Sequence, residues 1–410
     1  MSTIEVKTTD IAHGGDAVAR YEGKVLFVPY ALPGEDIIVE LVDEKSRYGR
    51  ARLKEVVTAS PQRVEPRCPH FGTCGGCDWQ HIAHGTQLHF REEILRSQLK
   101  RVGHLADVLV RPTLRMRDPW NYRNRVQLHL DDDGQLGFLA PREHRVVPIR
   151  ECHVMHPLLA KVFSALEIDF PELKGVSIRA GVTTGEQLLV LETVGETAPA
   201  LEADVPVSCV LLLEDGTPVT YVGHNYITEN AAGRSFRISS TSFFQVNTAQ
   251  LEHLVKTVQQ YLSPQGNEAL LDVYCGVGVL GLSLADAVST VVGIDESEAA
   301  IADARFNSQD LENVQYIQGR TEEILPSLDQ QADAVILDPP RQGCHEKALA
   351  ALLNLAPRKV VYVSCDPATL ARDLGRLVQG GYELVEIQPL DMFPQTCHIE
   401  AVALLHLESP

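Results

Sequence analysis

The last 140 or so residues of this 410-residue chain read as a doubly wound α/β domain, preceded by a small β-barrel and a mostly β middle region. Three observations carry that prediction. From Ala269 onward strand-like segments alternate with helical ones, a Gly-x-Gly-x-x-Gly run follows the first of them, and residues 4–57 are short β-branched stretches broken by turn residues.

The length exceeds what one core organises, so two or three domains are expected: 1–62, 63–237 and 238–410. A composition of 44% hydrophobic and 22% charged residues is that of an ordinary globular protein, and no apolar run is long enough to span a bilayer. The opening Met-Ser-Thr-Ile-Glu-Val-Lys has neither the basic leader nor the apolar stretch of a secretory signal, which predicts a cytoplasmic protein with no membrane partner. Nine cysteines in such a compartment point to metal binding or catalysis rather than to disulfides. The net charge of −19 argues, as an average, against a nucleic-acid partner. Its distribution reverses that argument. Residues 45–67 hold seven Lys or Arg against two Glu, residues 81–130 nine against four acids, and residues 191–232 seven acids and no Lys or Arg. One basic surface on an acidic body is expected.

In the first region, Ile11 to Asp16, Lys24 to Val28, Pro33-Gly34 and Asp36 to Val42 supply the strand and turn signals of a barrel. Ser60-Pro61 and Pro66 mark a linker. A helical pattern over 86–101, with Leu88, Ile94, Leu95 and Leu99 on one side, lies in a stretch (81–111) that can pack against the last domain. Residues 120–235 are mostly β. Cys68-x5-Cys74-x2-Cys77, completed downstream by Cys152, offers four thiolates, with Gly72, Gly75 and Gly76 letting the backbone wrap a centre. Four sulfurs suit zinc or an iron–sulfur cluster, and three near ligands plus one remote one favour the cluster. Cys209, Cys275, Cys344 and Cys397 lack partners at ligand spacing and read as structural. Arg115, Arg117, Arg123 and Arg125 around Trp120 and Tyr122 make a candidate RNA surface, competing with a reading of folded core aromatics ringed by surface arginines.

In the α/β region, strands are predicted at 269–274, 290–295, 314–317, 332–338 and 359–365, with two further antiparallel ones at 382–390 and 399–407. Gly276-Val-Gly278-Val-Leu-Gly281 follows the first strand, and Asp295 ends the second. That geometry suits any cofactor with a ribose, whose hydroxyls bond the carboxylate. Asp272 disfavours a pyrophosphate and favours a cationic cofactor, which S-adenosylmethionine fits. Asp338-Pro-Pro-Arg341 holds an acid at the fourth strand tip on a stiff loop. Cys365 ends the fifth strand just before Pro367, at the start of a helix whose terminus is expected to lower the thiol pKa. A cysteine there suits covalent activation of a ring carbon. Thiolate addition to carbon 6 of uracil makes carbon 5 nucleophilic, and a base must then remove the carbon 5 proton. Glu400 is the candidate base, with His398 as its competitor.

These residues resemble the S-adenosylmethionine-dependent RNA uracil-5 methyltransferases over nearly the whole chain. The resemblance is carried by Ser364-Cys-x-Pro-x-Thr-Leu-x-Arg-Asp373 and Asp391-Met-Phe-Pro-x-Thr-x-His-x-Glu400. It implies a TRAM or OB-like RNA-binding barrel, an iron–sulfur central domain and a Rossmann-like class I methyltransferase domain. It further implies that Cys365 is the nucleophile and Glu400 the base. Gln245, Tyr274, Gly276, Gly278, Asp295 and Asp338 would touch cofactor or uracil, and Cys68, Cys74, Cys77 and Cys152 would hold a 4Fe-4S cluster, zinc being the lesser alternative. The implied partner is RNA, 23S ribosomal RNA ahead of a transfer RNA T-loop, and no obligate protein partner is evident. Rivals of another class are a non-catalytic iron–sulfur RNA-binding protein and an iron–sulfur redox protein. Intact Cys365 and Glu400 oppose the first, and the distance in sequence from the cysteines to the glycine motif opposes the second. Two positions depart from the family pattern. Val279 stands where Asn or Thr is frequent, and Asp366 where Asn is common, adding a charge that would raise the neighbouring thiol pKa.

Overall fold

The computed structural model of the chain describes residues 3–167, 170–195, 205–328 and 331–408. The first strands are β1 (Thr3–Ile11), β2 (Ala17–Tyr21), β3 (Lys24–Val28), β4 (Asp36–Glu44) and β5 (Tyr48–Thr58). Period-two alternation turns Val6, Ala17, Ala19, Leu26, Val28, Ile37, Val39 and Ala51 inward, so the sheet can bury its apolar face only by closing on itself. It closes in the order β1-β2-β3-β5-β4, with β4 pairing back to β1. Facing out on β5 are Tyr48, Arg50, Arg52 and Lys54. The linker is anchored rather than free. Buried Glu35 accepts two bonds from Arg63, at 2.6 and 2.8 Å, and one from the Leu32 N–H at 2.9 Å.

Helix α1 (His84–Arg101) follows, then the middle strands β6 (Arg125–Leu130), β7 (Leu136–Leu139) and β8 (Val146–Pro148), helix α2 (Pro157–Ala165), and β9 (Leu173–Ala180), β10 (Gln187–Thr193), β11 (Ser208–Leu212) and β12 (Pro218–Val222). These strands form one sheet of order β12-β11-β10-β9-β6-β7-β8. Part of the acidic stretch, residues 196–204, lies outside the described residues. A hairpin of β13 (Tyr226–Ala231) and β14 (Arg234–Ser239) leads into α3 (Thr248–Leu262).

The boundary placed at 237 falls inside β14. Ile227, Phe236 and Ile238 of the hairpin share one core with Leu251, Leu254 and Val258 of α3, and that core continues to Leu188 and Val190 of the middle sheet. The hairpin buries alternate residues against the helix that follows it.

The last region contains β15 (Ala269–Val273), α4 (Val279–Leu282), β16 (Thr290–Asp295), α5 (Glu298–Asn307), β17 (Val314–Gln318), α6 (Thr321–Ile324), β18 (Ala334–Leu337), α7 (Glu346–Leu355), β19 (Lys359–Ser364), α8 (Pro367–Gln379), β20 (Tyr382–Leu390) and β21 (Glu400–Leu407). The sheet order is β17-β16-β15-β18-β19-β21-β20, parallel through the first five, with β21 antiparallel to both neighbours. Chain order reverses between β15 and β18, which opens a crevice at the carboxyl ends of those strands.

Helix α1 crosses onto this region. Arg91, fully buried, pairs with Asp391 at 2.9 Å and donates to the carbonyls of Phe393 (2.9 Å), Thr396 (3.0 Å) and His398 (3.2 Å). One guanidinium thus threads the loop between β20 and β21 that ends at Glu400. Removing one partner of a buried pair leaves the other charged and unpaired, so Asp391→Ala is expected to destabilise the fold by about 3–5 kcal/mol, read by urea denaturation.

Candidate active site

The crevice is a cleft of about 1120 Å³, lined from the glycine loop, the Asp338–Arg341 loop, the ends of β16 and β19, the segment Thr241–Val246 and the loop before Glu400. Gln245, Tyr274, Gly276, Asp295, Asp338, Cys365, His398 and Glu400 all line it. They are spread in sequence from Gln245 to Glu400, and the strand ends of the sheet bring Tyr274, Asp295, Asp338 and Cys365 to one edge. Gly278 does not line the cleft. At φ +89° it begins α4, and a Cβ there would meet the Tyr316 hydroxyl at 2.5 Å, so glycine is required for packing under the loop.

The glycine loop is held by the acids around it. Asp295 accepts the Gly276 N–H at 2.9 Å and the Ser297 N–H at 2.9 Å, and Asp272 accepts the Gly281 N–H at 2.8 Å. The other Asp272 oxygen is buried without a partner. Gln245 is fixed through its backbone, whose carbonyl accepts from Asn124 Nδ2 at 3.0 Å. Asn247 caps α3 and donates to the Met392 carbonyl at 2.9 Å, joining the Gln245 segment to the loop before Glu400.

Acids dominate the electrostatics. Burial pushes Asp272 up to about 7, and burial with the charges of Asp272 and Asp295 pushes Asp338 up to about 7. Burial and Asp338 raise Glu400 well above the carboxylate range, with Arg341 opposing. His398 goes the other way. Burial and the nearby cations Arg341, Arg123 and Arg91 lower it to about 4, so at neutral pH it is an uncharged and weak base. Of the two competitors Glu400 is the stronger proton acceptor once ionised, since its pKa is raised and that of His398 is lowered.

Cys365 differs from the sequence expectation. Burial and the carboxylates of Glu400 and Asp338 push its thiol up to about 12, with Arg341 opposing. The helix terminus does not rescue it, because Asp366 caps α8 and takes the N–H groups of Ala368 (3.0 Å) and Thr369 (2.9 Å). Those donors are spent on a carboxylate and do not reach the sulfur. Arg341 is the cation beside Cys365 and Glu400, and lies 3.4 Å from His398 Nε2.

The four predicted cluster cysteines come together. Cys152 interacts electrostatically with Cys68, Cys74 and Cys77, and burial raises Cys74 to about 11 and Cys77 to about 12. All nine cysteines are free thiols. Among the described residues, no group of three or more His, Cys, Asp or Glu side chains is arranged to hold a metal ion. A zinc ion would need all four sulfurs drawn to about 2.3 Å from one point. The thiols as placed do not meet that requirement.

The arginine and aromatic patch is corrected in part. Tyr122 is core, with its hydroxyl donating to the Pro394 carbonyl at 3.0 Å, so it cannot stack on a base. Trp120 is half-buried under Arg67, whose guanidinium sits 5.3 Å from the ring. Arg115 and Arg117 are exposed. Sequence reasoning missed Phe243, which is 59% exposed and lines the cleft beside buried Phe244. Two adjacent phenylalanines carry no periodic signal to say which one faces out.

A doubly wound sheet of this order, with a glycine-rich first loop and a carboxylate ending the second strand, defines an S-adenosylmethionine-dependent methyltransferase fold. Family models match in two places: a tRNA (uracil-5-)-methyltransferase model over residues 219–408 and a TRAM domain over residues 1–54. An uncharacterized RNA methyltransferase of Thermosynechococcus vestitus is 39% identical over 98% of both chains, and one of Halalkalibacterium halodurans is 37% identical over 99% of this chain and 97% of its own. Among solved structures, the Pyrococcus abyssi tRNA (uracil-54, C5)-methyltransferase in complex with S-adenosyl-L-homocysteine superimposes with a TM-score of 0.77. Its identity is 29%, and the match covers 98% of this chain and all of that one. The chain belongs to the RNA uracil-5 methyltransferase family and is an S-adenosylmethionine-dependent enzyme acting on RNA. The five-stranded barrel is its TRAM domain. No described helix is long and apolar enough to cross a membrane.

Proposed function

We infer that this enzyme methylates carbon 5 of a specific uridine in 23S ribosomal RNA, in the cytoplasm, through a covalent adduct between Cys365 and the uracil. The observation that carries the mechanism is the gathering of Cys365, Glu400, Asp338 and Arg341 at one end of the cleft. Cys365 adds to carbon 6, and Arg341 steadies the negative charge that forms on thiol and ring. S-adenosylmethionine, when bound, supplies an electrophilic methyl group. Gln245, Tyr274, Gly276, Asp295 and Asp338 are the residues that would hold cofactor or uracil, with Gly278 shaping the loop from beneath. Glu400 then takes the carbon 5 proton, and the carbon–sulfur bond breaks to restore the ring and release the thiolate. A uridine must leave its stack to reach the cleft, so a loop in structured RNA is the fitting target. Tyr48, Arg50 and Arg52 on β5 offer a stacking face and phosphate contacts for the flanking strand.

A cationic cofactor also suits the charges. A cationic cofactor bound in the cleft would stabilise the ionised forms of Asp272 and Asp338, so these acids, raised to about 7, would lose protons on binding. S-adenosylmethionine binding is therefore expected to release protons near pH 6–7 and to tighten as pH rises through that window. Calorimetry in buffers of different ionisation enthalpy reads this directly, and the neutral-sulfur product should release fewer protons.

Cys68, Cys74, Cys77 and Cys152 are proposed to hold a 4Fe-4S cluster, supported by their mutual proximity and by the spacing of three near ligands and one remote one. When bound, the cluster would crosslink residues 68–77 to residue 152 and fix that part of the 63–237 region. Protein purified without oxygen should be brown and carry equal iron and sulfide, and a Cys152→Ala variant should lose both. A colourless, zinc-loaded protein would overturn the assignment.

The choice of 23S ribosomal RNA rests on the pairing of TRAM barrel and cysteine set, which resembles ribosomal RNA enzymes more than bacterial transfer RNA ones. The second reading, a transfer RNA T-loop uridine, is favoured by the name of the Pyrococcus abyssi relative. Mapping 5-methyluridine in both RNAs from cells lacking the protein, against restored cells, decides between them. Loss confined to transfer RNA would replace the first reading with the second.

A further inference from the structure

The barrel reaches the catalytic centre at one loop. Between β1 and β2, residues 12–16 form a tight turn, closed by the Ala12 N–H on the Asp16 carbonyl and the Gly15 N–H on the Ala12 carbonyl, each at 2.9 Å. From this turn His13 Nε2 approaches Oδ2 of Asp366, the residue after Cys365, at 3.5 Å. The other oxygen of Asp366 caps α8. Its backbone N–H and carbonyl are clasped by the Ser364 hydroxyl at 3.2 and 3.0 Å, so the chain is pinned on both sides of the cysteine.

The opposite side of the turn meets the other catalytic segment. A Cβ on Gly15 would lie 2.6 Å from Cys397 Cβ and 2.7 Å from Trp79 Nε1, and Gly15 accepts from that indole at 3.2 Å. Ile11 shares an apolar cluster with Trp79 and with Ile399, the residue before Glu400. One barrel loop therefore touches the neighbour of the sulfur and the neighbours of the base.

We propose that the β1–β2 loop is a positioning element of the catalytic centre, with His13 holding the Asp366 carboxylate that fixes the nucleophile's loop. This rests on Cys365 as nucleophile and Glu400 as base. The barrel then contributes to turnover as well as to RNA affinity. Neither His13 nor Asp366 lines the cleft, so both act through the loop that carries Cys365.

The test compares His13→Ala, His13→Gln, Asp366→Ala and the double alanine variant in the full chain. Two quantities are read: steady-state methylation of RNA, and alkylation of Cys365 by iodoacetamide without RNA or cofactor. His13→Ala is expected to lower kcat about tenfold with KM for RNA within about twofold, and to change the alkylation rate at least about threefold. His13→Gln, which keeps a donor, should recover most of the loss. The double variant should match Asp366→Ala alone, because both remove one interaction. Unchanged kcat and alkylation, a loss confined to KM for RNA, or additive losses would overturn the proposal. The alkylation arm needs no methyl transfer. A chain that responds there but methylates no RNA would instead sink the underlying functional reading.

Discussion

Cys365→Ala is expected to reduce methyl transfer about ten-thousand-fold while leaving S-adenosylmethionine binding within about twofold. Carbon 5 of uracil is a poor nucleophile until sulfur adds to carbon 6, so without the thiolate the ring has no comparable route. The side chain is half-buried and small, and it does not hold the glycine loop, so binding should survive its loss. Isothermal titration beside a methylation assay separates the two effects. The pH profile adds a second signature. Burial and the carboxylates of Glu400 and Asp338 push the thiol up to about 12, so the nucleophile is expected to ionise more readily when a cation offsets those carboxylates. Methylation at subsaturating S-adenosylmethionine should rise from pH 6 to pH 9, and saturating cofactor should shift that rise to lower pH.

Glu400→Gln is expected to cost about 10²–10⁴-fold in turnover by a different route, because it blocks the step after methylation. The amide matches the buried carboxyl in shape but cannot take the carbon 5 proton, so the carbon–sulfur bond has no path to break. A covalent protein–RNA species carrying the transferred methyl group should accumulate on unmodified uridine RNA, visible by denaturing electrophoresis and by mass. If His398 were the base instead, His398→Ala would trap that species and Glu400→Gln would turn over. The low basicity of His398, lowered to about 4 among three arginines, argues for the first outcome.

Much of this was legible in the sequence because it follows from local rules. Alternation along β1 to β5 and the glycine run after β15 each reflect a periodicity or a backbone demand that short stretches encode. The cleft residues were findable because parallel strands deliver their carboxyl ends to one face, wherever they lie in the chain. What escaped was set by three-dimensional neighbours. The thiol pKa of Cys365 was expected to fall at a helix terminus, yet Asp366 takes those N–H groups and Glu400 and Asp338 raise the thiol across the cleft. Tyr122 was open between a stacking residue and a core aromatic, and its hydroxyl bond to Pro394 inside the core decides for the second. Arg91 and His13 gave no signal at all. An arginine on a helix with modest amphipathic character reads as solvent-facing, and nothing local says that it will thread a loop three hundred residues away. The packing of the β13 and β14 hairpin on α3 likewise left no local sign.

The most direct test of the covalent mechanism uses RNA containing 5-fluorouridine at the methylated site. Fluorine cannot leave as a proton, so the adduct should persist. With S-adenosylmethionine present, peptide mass mapping should place the nucleotide, with its methyl group, on Cys365 and nowhere else. An RNA that the enzyme methylates normally as uridine but that leaves Cys365 unmodified when fluorinated would contradict the account.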